Sequence, residues 1–437
     1  MDVIDKYTGE RIGTVPEASA EDVGRATARA REAFASWSET PAHRRAAILR
    51  RAADLMAERQ DELAALIARE AGKAWKHSHG EVQRAVETFT FAAEEAKRIH
   101  GETVPMDASA AGENRVGFYL RAPLGVIAAI TPFNFPLNLV AHKVAPALAA
   151  ANTVVLKPAE ETPLTAVRMA EILTEAGLPE GVLNLVHGEG PTAGEWLVRD
   201  PVPAKISFTG SPPVGARILS IAGLKRVTLE LGNNSGTLIE PDADLDQAIP
   251  RCVMSAFANA GQVCLSLQRL YLHESIAEEA TRRFVEATRA LKVGNPLEKD
   301  TDVGPLISDE AADRAEAWSR EALAEGARRL EGGRREGRLL WPTVLTDTRP
   351  DMKVMCQEAF APLVSLVPYR TFDEGLRLLA DTPYGLQAGV YTRDLRKAFE
   401  AVRRLDMGGI MVNDTSIFRV DHMPYGGNRR SGIGREG

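Results

Sequence analysis

The feature that most constrains the fold is a series of short, continuously apolar segments between residues 122 and 232, separated by helical patterns. Continuous apolar runs indicate strands buried on both faces, and their alternation with helices is typical of a parallel sheet covered on both sides. The predicted strands are 125–130, 153–156, 181–186, 204–208 and 226–229, with helices starting near Leu137, Pro163, Thr192 and Pro213. The predicted fold class is therefore α/β.

A second strand–helix series follows residue 233. Residues 20–100 carry mainly helical periodicity, including helices from Pro41 and over 81–99, and residues 101–121 predict an extended arm or hairpin. Turn-forming residues at 231–236 suggest a domain boundary. Because 437 residues exceed what one core usually accommodates, two or three domains are expected. The second series comprises helices near 243–258, 276–291, 309–325, 374–380 and 395–404, and strands near 268–272, 363–367 and 409–412.

Composition excludes several classes of protein. The net charge is −7, and no basic stretch interleaved with aromatic residues occurs, so nucleic acid is not an expected partner. Three cysteines in a chain of this length argue against a disulfide framework and indicate a reducing cytoplasm. The N-terminus is charged, and prolines and charges interrupt the apolar region 126–156, so neither an export signal nor a membrane span is expected. The histidines form no metal-binding constellation.

Cys264 and Glu230 suggest a thiol nucleophile with a carboxylate base. Cys264 follows a Gly-Gln turn instead of lying inside an apolar run, so its sulfur can face a cleft. Glu230 lies upstream in Leu229-Glu-Leu-Gly232. A lone cysteine is more often an inert buried residue, and the pair acquires its meaning from the rest of the chain.

Three further segments follow predicted strands. Residues 131–136 form a proline-stiffened loop that offers the amide of Asn134, which suits an oxyanion. Lys157 and Glu160 suit ribose hydroxyls at the carboxyl edge of a sheet. Residues 208–215 open a helix whose start favours a pyrophosphate, with Ser211 as its N-cap. Taken singly, each is as well explained by an ordinary turn, ion pair or helix cap.

Together and in this order, these segments resemble the aldehyde dehydrogenase superfamily, and the resemblance extends over nearly the whole chain. It implies a Rossmann-type cofactor domain (1–100 and 122–232), an oligomerisation arm (101–121) and an α/β catalytic domain (233–437) whose last residues return toward the cofactor domain. The segments that carry it are 131–136, 157–160, 208–215, 229–232, 261–264, 358–360 and 424–427.

The resemblance implies a role for each matching residue. Cys264 matches the nucleophile that forms a thiohemiacetal with the aldehyde, Asn134 the oxyanion hole, and Glu230 the base that activates the hydrolytic water. Lys143 and Glu436 match residues that relay the proton of the base. The implied cofactor is NAD in preference to NADP. Its implied contacts are Thr131, Phe133, Lys157, Glu160, Thr209, Gly210, Ser211, Gly215, Glu358 and Phe360.

Positions that match the family's substrate tunnel are polar: Arg84, Asn138, His142 and Arg419. Two guanidiniums facing one tunnel favour an anionic group on a small aldehyde. The alternative is that the two arginines pair with helix carboxylates such as Glu81 or Glu87.

The chain departs from the family pattern at three places. Gly232-Asn-Asn234 replaces a common Gly-Gly-Lys, and Pro212-Pro213 replaces polar residues. Relatives also continue with a further strand that joins the oligomerisation sheet, whereas this chain ends at Gly437. A homo-oligomer, dimeric or tetrameric, is expected if that strand is not essential.

The leading hypothesis is therefore a cytoplasmic, NAD-dependent, hydrolytic aldehyde dehydrogenase. Two alternatives stay open. One is a CoA-acylating relative, against which Glu230 argues, because that branch typically lacks the base. The other is a structural or interaction protein on the same fold that has lost catalysis, against which Cys264, Glu230 and Asn134 argue together.

Overall fold

A computed structural model describes residues 1–437. The helices, in chain order, are α1 Ala20–Trp37, α2 Ala42–Glu58, α3 Gln60–Ala71, α4 Trp75–Ala96, α5 Asn138–Ala149, α6 Pro163–Glu175, α7 Glu195–Arg199, α8 Pro212–Ile221, α9 Leu245–Phe257, α10 Glu274–Arg289, α11 Asp309–Ala324, α12 Lys353–Cys356, α13 Phe372–Ala380 and α14 Leu395–Arg404. The strands are β1 Asp2–Ile4, β2 Arg11–Thr14, β3 Glu102–Val104, β4 Gly117–Tyr119, β5 Val126–Ile130, β6 Thr153–Lys157, β7 Leu183–Leu185, β8 Lys205–Thr209, β9 Arg226–Glu230, β10 Ser235–Ile239, β11 Leu267–His273, β12 Arg328–Glu331, β13 Arg335–Glu336, β14 Leu339–Leu340, β15 Thr343–Thr346, β16 Leu363–Tyr369, β17 Gln387–Tyr391, β18 Gly409–Val412 and β19 Gly432–Ile433.

The first sheet has the order β19-β9-β8-β5-β6-β7 and is parallel except for β19. Every residue of β5 is buried. Ile127 and Ala129 belong to one apolar core, whereas Val126, Ala128 and Ile130 belong to the core on the opposite face. This alternation confirms the prediction of a parallel sheet covered on both sides.

Helices α2–α6 cover one face of this sheet, and α1, α7 and α8 cover the other. The helix α1 starts at a capping box, in which Ser19 and Asp22 satisfy each other's backbone N–H groups. The helix α4 starts at Trp75, earlier than the predicted residue 81, because its buried stripe already includes Ser78 and Glu81.

The second sheet has the order β12-β15-β16-β11-β10-β17-β18, with β12 alone antiparallel. The sequence prediction missed β10 and β17, which are neighbouring inner strands of this sheet. Both contain a glycine where strands approach closely, since a Cβ at Gly389 would lie 2.9 Å from the hydroxyl oxygen of Thr237. The glycines and small residues of β10 and β17 are typical of turns in sequence, but the two segments form strands in the structure.

Two short antiparallel pairings involve the predicted arm and the end of the chain. The predicted arm forms the antiparallel pair β3–β4, whose side chains are largely exposed. The strand β19, near the end of the chain, pairs antiparallel with β9, so Gly432 lies opposite Glu230. Through this pairing the last residues lie against the first sheet. None of the helices combines the length and apolarity that crossing a bilayer requires.

Candidate active site

The candidate site lies at the carboxyl edge of the first sheet, where the strand order reverses. The chain runs from β5 to β6 and β7 on one side and then crosses back to place β8 on the other side of β5. Loops that leave adjacent strands on opposite sides diverge at such a point and open a crevice. A cavity of about 450 Å³ occupies it. The predicted residues that line the cavity are Phe133, Asn134, Thr209, Gly210, Ser211, Cys264, Glu358 and Phe360.

Cys264 is presented by a turn between α9 and β11 with unusual backbone geometry. Asn259, Ala260 and Gly261 have φ angles of 51°, 54° and 70°, three consecutive residues in the left-handed region. Such strain persists only where the surroundings fix it, and it is concentrated at functional sites. Gln262 supplies two of these constraints, because its side chain accepts from the N–H of Ile307 at 2.9 Å and donates to the carbonyl of Asn259 at 3.2 Å.

The surroundings of Cys264 suit a nucleophile whose adduct carries an oxyanion. The backbone N–H of Cys264 donates to no other backbone carbonyl and is therefore available. The amide of Asn134 donates to the carbonyl of Gln262 at 2.9 Å, which holds its side chain in the buried wall. Burial raises the pKa of the Cys264 thiol to about 11, so the thiol is mainly protonated at neutral pH.

The sequence analysis missed Tyr425, whose hydroxyl oxygen lies 3.1 Å from the sulfur of Cys264. Tyr425 lies within the segment 424–427 that carries the family resemblance, and this segment was the only sequence feature that could have pointed to it. Its contact with the nucleophile could not be read from sequence, because the two residues are 161 positions apart.

Glu230 is a buried carboxylate with an exposed fraction of 2%, and neither carboxylate oxygen has a hydrogen-bond partner. Burial, reinforced by repulsion from Glu436, raises its pKa well above the usual range. Glu436 behaves in the opposite way: although burial opposes ionisation, Lys143, His142 and Arg419 hold its pKa low. Lys143 and Glu436, the two residues of the predicted relay, lie in contact, with the Lys143 ammonium 3.4 Å from the Glu436 carboxylate. One buried carboxyl therefore holds its proton beside another that does not.

The residues predicted to contact the cofactor divide into two sets. Thr209 contributes a buried hydroxyl without a hydrogen-bond partner to the cavity. Ser211 occupies the N-cap position of α8, as predicted, but its side chain makes no capping hydrogen bond. The physical reason is that Pro212 and Pro213 remove the first two N–H donors of the helix. Thr131, Lys157, Glu160 and Gly215 do not line this cavity.

Lys157 and Glu160 form an ion pair at 2.9 Å beside the end of β6. Lys157 is buried, whereas the Glu160 side chain is about one-third exposed, at 35%. Gly215 serves packing, because a Cβ there would lie 2.7 Å from the side chain of Leu231. Its role at this position is the close approach of α8 to the first sheet.

The departure Gly232-Asn-Asn234 positions Glu358. The carboxylate of Glu358 accepts from the N–H of Asn233 at 2.9 Å, and a Cβ at Gly232 would overlap it. Asn234 donates to the carbonyls of Met355 and Gln357 and so anchors the loop that carries Glu358. Burial raises the pKa of Glu358 to about 7. The segment therefore holds a cavity-lining carboxyl in place.

A second cavity, of about 390 Å³, lies on the other side of the Cys264 turn and includes Val263 and Phe135 in its wall. Arg84 and Arg419 both line it, as the sequence predicted, whereas Asn138 and His142 do not. Its cationic residues are Lys73, Lys76, Arg84, Arg251 and Arg419, and its acidic residue is Glu81.

Each of these cations has a carboxylate partner, but four of the five partners lie outside the cavity wall. Glu81, which does line the cavity, pairs with Lys73. The partners behind the wall are Asp302 for Lys76, Asp421 for Arg84, Asp414 for Arg251 and Glu436 for Arg419. The cavity surface therefore carries mainly positive side chains, most of which pair with carboxylates that do not line the cavity.

Asp421 is the partner that sequence reasoning did not identify. The alternative partners predicted for the arginines, Glu81 and Glu87, are wrong: Arg84 makes a bidentate contact with Asp421 at 2.8 and 3.1 Å. Asn138 and His142 also donate to Asp421, at 3.1 and 2.8 Å. Three predicted substrate residues thus converge on one buried carboxylate. Burial opposes its ionisation, but these donors lower the pKa of Asp421 below its usual range.

Comparison with known proteins relates this geometry to a family. The model of the aldehyde dehydrogenase family matches residues 1–437. The chain is 48% identical over 437 residues to the 3-sulfolactaldehyde dehydrogenase of Priestia megaterium, covering all of this chain and 91% of that protein. It is 40% identical over 443 residues to the lactaldehyde dehydrogenase of Methanocaldococcus jannaschii, covering 100% and 94% of the two chains.

Solved structures agree at the level of the whole fold. Aldehyde dehydrogenase 21 from Physcomitrella patens, in complex with the product succinate, superposes with a TM-score of 0.98 at 40% identity, over 100% of this chain and 91% of that one. The glyceraldehyde-3-phosphate dehydrogenase of Methanocaldococcus jannaschii, in complex with NADP, gives 0.96 at 39% identity, over 100% and 95%. The chain belongs to the aldehyde dehydrogenase family and is an oxidoreductase that acts on aldehydes.

Proposed function

We propose that the protein oxidises a small anionic aldehyde to its carboxylic acid with NAD as the hydride acceptor. The observation that carries this proposal is the pair of cavities that meet at the Cys264 turn. One is lined by unpartnered polar groups and suits a cofactor; the other is lined by cations and suits a negatively charged substrate.

The Cys264 thiolate attacks the aldehyde carbon and forms a thiohemiacetal. The Cys264 N–H and the second N–H of the Asn134 amide, whose first N–H contacts Gln262, stabilise the oxyanion. The nicotinamide dinucleotide would supply a hydride acceptor in the cavity lined by Thr209 and Glu358. With the hydride lost from the thiohemiacetal carbon, the carbonyl re-forms as a thioester of Cys264. Glu230 then takes a proton from water, which attacks the thioester, releases the acid and restores the thiol.

Glu230 must lose its own proton before it can act as this base, because its pKa is raised by burial. Lys143 and Glu436 offer a route for that proton, since Glu436 is ionised and contacts Lys143. A base that alternates between the two protonation states through a relay can work at neutral pH.

The residues present fit a nicotinamide dinucleotide. Thr209 leaves a buried hydroxyl unpaired, Ser211 leaves its hydroxyl free at a helix start, and Glu358 is fixed beside them. We choose NAD over NADP because the family resemblance assigns Glu160 to the adenosine ribose, where its negative charge would repel a 2′-phosphate. We expect Glu160→Ser to weaken the preference for NAD by about tenfold in kcat/KM. Equal kcat/KM for both cofactors in the wild type would remove this role.

The substrate class follows from the cations of the second cavity. Arg84 leaves one nitrogen without a hydrogen bond after its contact with Asp421, and the buried Nε of Arg419 also lacks a partner. The Arg419 side chain is buried and the Arg84 side chain is about one-third exposed, at 31%. Unpaired guanidinium donors that line a cavity favour an anionic acceptor. Sulfonate and carboxylate groups of small aldehydes both meet this requirement. The named activity of the 3-sulfolactaldehyde relative agrees with it, whereas the lactaldehyde relative acts on a neutral hydroxyaldehyde.

The decisive experiment follows NADH formation with anionic and neutral short aldehydes, with and without CoA. We expect the anionic aldehydes to have the highest kcat/KM and CoA to have no effect. We expect Arg84→Met to lower kcat/KM on anionic aldehydes by about tenfold or more and to leave neutral aldehydes little changed. Arg50→Met, which removes an arginine paired with Asp54 on an exposed helix face, is the matched control.

Equal losses on both aldehyde classes would make Arg84 structural and return the substrate to an unspecified small aldehyde. A requirement for CoA would instead favour the acylating branch, and no activity on any aldehyde would favour a structural role for the protein.

We also propose that the protein is a cytoplasmic homo-oligomer. All three cysteines are free, and the proposed mechanism requires that Cys264 remain reduced. The arm β3–β4 exposes Val116, Phe118 and Leu120, which suits burial against a second copy.

A further inference from the structure

We propose that Tyr425 is a further catalytic residue: its hydroxyl donates a hydrogen bond to the Cys264 thiolate and stabilises the form of the nucleophile that attacks the aldehyde. The proposal rests on the assignment of Cys264 as the nucleophile. It is carried by geometry, because the hydroxyl oxygen lies 3.1 Å from the sulfur, and that sulfur is its single hydrogen-bond partner.

The fold holds this hydroxyl rigidly. Tyr425 is 3% exposed and packs with Val263 and Leu265 on either side of the nucleophile. Two backbone hydrogen bonds with Glu436, at 2.7 and 2.8 Å, fix its main chain. The Arg419 guanidinium stacks on the ring at 3.7 Å from the centroid. A hydroxyl fixed in this way loses little entropy when it forms its hydrogen bond.

The direction of the hydrogen bond follows from the protonation states. A thiolate has no proton to give, so the hydroxyl must donate. Burial raises the pKa of Tyr425 well above its usual value, and so the hydroxyl keeps its proton while the thiol proton leaves to solvent base. Once the carbon–sulfur bond forms, the sulfur loses its negative charge and becomes a weaker acceptor. The contact therefore acts on the thiolate more than on the adduct.

The charged and titratable groups facing the sulfur divide into two sets. Glu358 and Glu230 raise the pKa of Cys264, in the same direction as burial, whereas Arg419 and the Tyr425 hydrogen bond lower it. Because Tyr425→Phe keeps the ring under Arg419 and leaves the other three groups in place, any change in thiolate population reports on the hydroxyl.

The net effect on rate is a balance of two terms. A charge-assisted hydrogen bond of ordinary strength shifts a thiol titration by about one pH unit, so its loss lowers the thiolate fraction about tenfold below the midpoint. A more basic thiolate is also a better nucleophile. With a Brønsted coefficient of about 0.4–0.5, the rate of attack by each thiolate rises about threefold, which offsets part of the loss. We expect the first NADH turnover of Tyr425→Phe to slow by about threefold at neutral pH.

The test measures the thiolate itself in the absence of aldehyde and cofactor. Between about pH 8 and pH 12, a range that includes the raised pKa of the Cys264 thiol, the ultraviolet absorbance of the thiolate is followed in the wild type and in Tyr425→Phe, with Cys264→Ser subtracted as the blank. Alkylation of Cys264 by iodoacetamide is followed in parallel. The matched control is Tyr391→Phe, which removes a buried tyrosine hydroxyl that makes no hydrogen bond to Cys264.

We expect the pH-dependent rise in thiolate absorbance and the rise in alkylation rate to move about one pH unit toward alkaline pH in Tyr425→Phe. Both should stay in place in Tyr391→Phe. Coincident absorbance limbs for Tyr425→Phe and wild type would overturn the proposal, even if alkylation slows, because the hydroxyl would then act through packing. Retained aldehyde oxidation in Cys264→Ser would instead overturn the proposed function, whatever the position of the limbs.

Discussion

At the scale of single residues, the chemistry depends on two acidic groups that burial keeps protonated. Cys264 and Glu230 both have pKa values raised above their ordinary ranges, with burial as the largest cause. Neither acts in that form: the thiol must become a thiolate, and the carboxyl must become a base. The protein adjusts the balance between protonated and ionised forms through neighbouring groups. These are Tyr425 for the thiol and the Lys143–Glu436 pair for the carboxyl.

We expect Glu230→Gln to slow thioester hydrolysis far more than hydride transfer. The amide preserves shape but cannot accept the proton of the attacking water, a contribution of about 10²–10⁴-fold. Rapid-mixing measurements should show a burst of NADH equal to the active sites, followed by slow turnover. Because the raised pKa of Glu230 leaves little carboxylate at neutral pH, the wild-type hydrolysis rate should rise with pH, and the variant should lack that rise. Equal loss of burst and turnover would assign Glu230 to activating the thiol.

Asp421 makes a residue-scale contribution to stability that has a definite pH dependence. Its folded-state pKa lies below the unfolded value, so its stabilising effect is fully present above about pH 4 and is lost as the pH falls through the folded value. Asp421→Asn removes the charge that Arg84 and His142 contact.

We expect this variant to lower the free energy of unfolding by about 3 kcal/mol at neutral pH, the usual cost of breaking a buried pair. Urea unfolding at neutral and acidic pH measures the difference, which should shrink below about pH 4. A difference that stays constant across this range would mean that the charge of Asp421 is not what stabilises the cluster.

At the scale of elements, the turn between α9 and β11 decides where the nucleophile points. Gly261 has a φ of 70°, and a Cβ at this position would overlap the carbonyl of Ala361. We expect Gly261→Ala to destabilise the protein by about 1–3 kcal/mol for backbone strain alone, with a further loss from the overlap, and to abolish most activity.

Gly326→Ala is the matched control, because Gly326 also has a positive φ, of 105°, but a Cβ there would meet nothing within 4 Å. Thermal unfolding and initial rates are measured for both variants. A loss of activity in Gly326→Ala as large as in Gly261→Ala would show that the effect is general backbone strain and not displacement of Cys264.

At the scale of the whole molecule, the arm β3–β4 extends an apolar surface that the chain itself leaves uncovered. Val116, Phe118 and Leu120 are 92%, 68% and 75% exposed. Burial of about 25 cal/mol per Å² of such surface favours association with a second copy. We expect the double variant Phe118→Asp, Leu120→Asp to shift a homo-oligomer toward monomer in sedimentation velocity.

Leu224→Asp is the control for this variant, because Leu224 is also exposed, even more than Phe118 and Leu120, but lies in the turn between α8 and β9. It should leave the oligomeric state unchanged. A wild-type protein that sediments as a monomer at all concentrations would contradict the proposed assembly.

The sequence was sufficient to predict the two α/β units, the family and part of the cofactor-side cavity, including Asn134, Cys264 and Glu358. These depend on local signals, since a two-faced strand needs a continuous apolar run, and loops after parallel strands meet at one sheet edge. The strands β10 and β17 escaped because their glycines and small residues resemble turns until neighbouring strands pack against them.

Only the tertiary structure decided which side chains meet across long stretches of chain. Asp421 lies 337 residues from Arg84, and Tyr425 lies 161 residues from Cys264. Nothing in the local pattern of either residue distinguishes it from an ordinary polar side chain. The raised pKa values have the same origin, because desolvation depends on everything that surrounds a group and not on its neighbours in sequence. Motifs therefore point to the proposed nucleophile and base, and packing determines the protonation state of each of them at neutral pH.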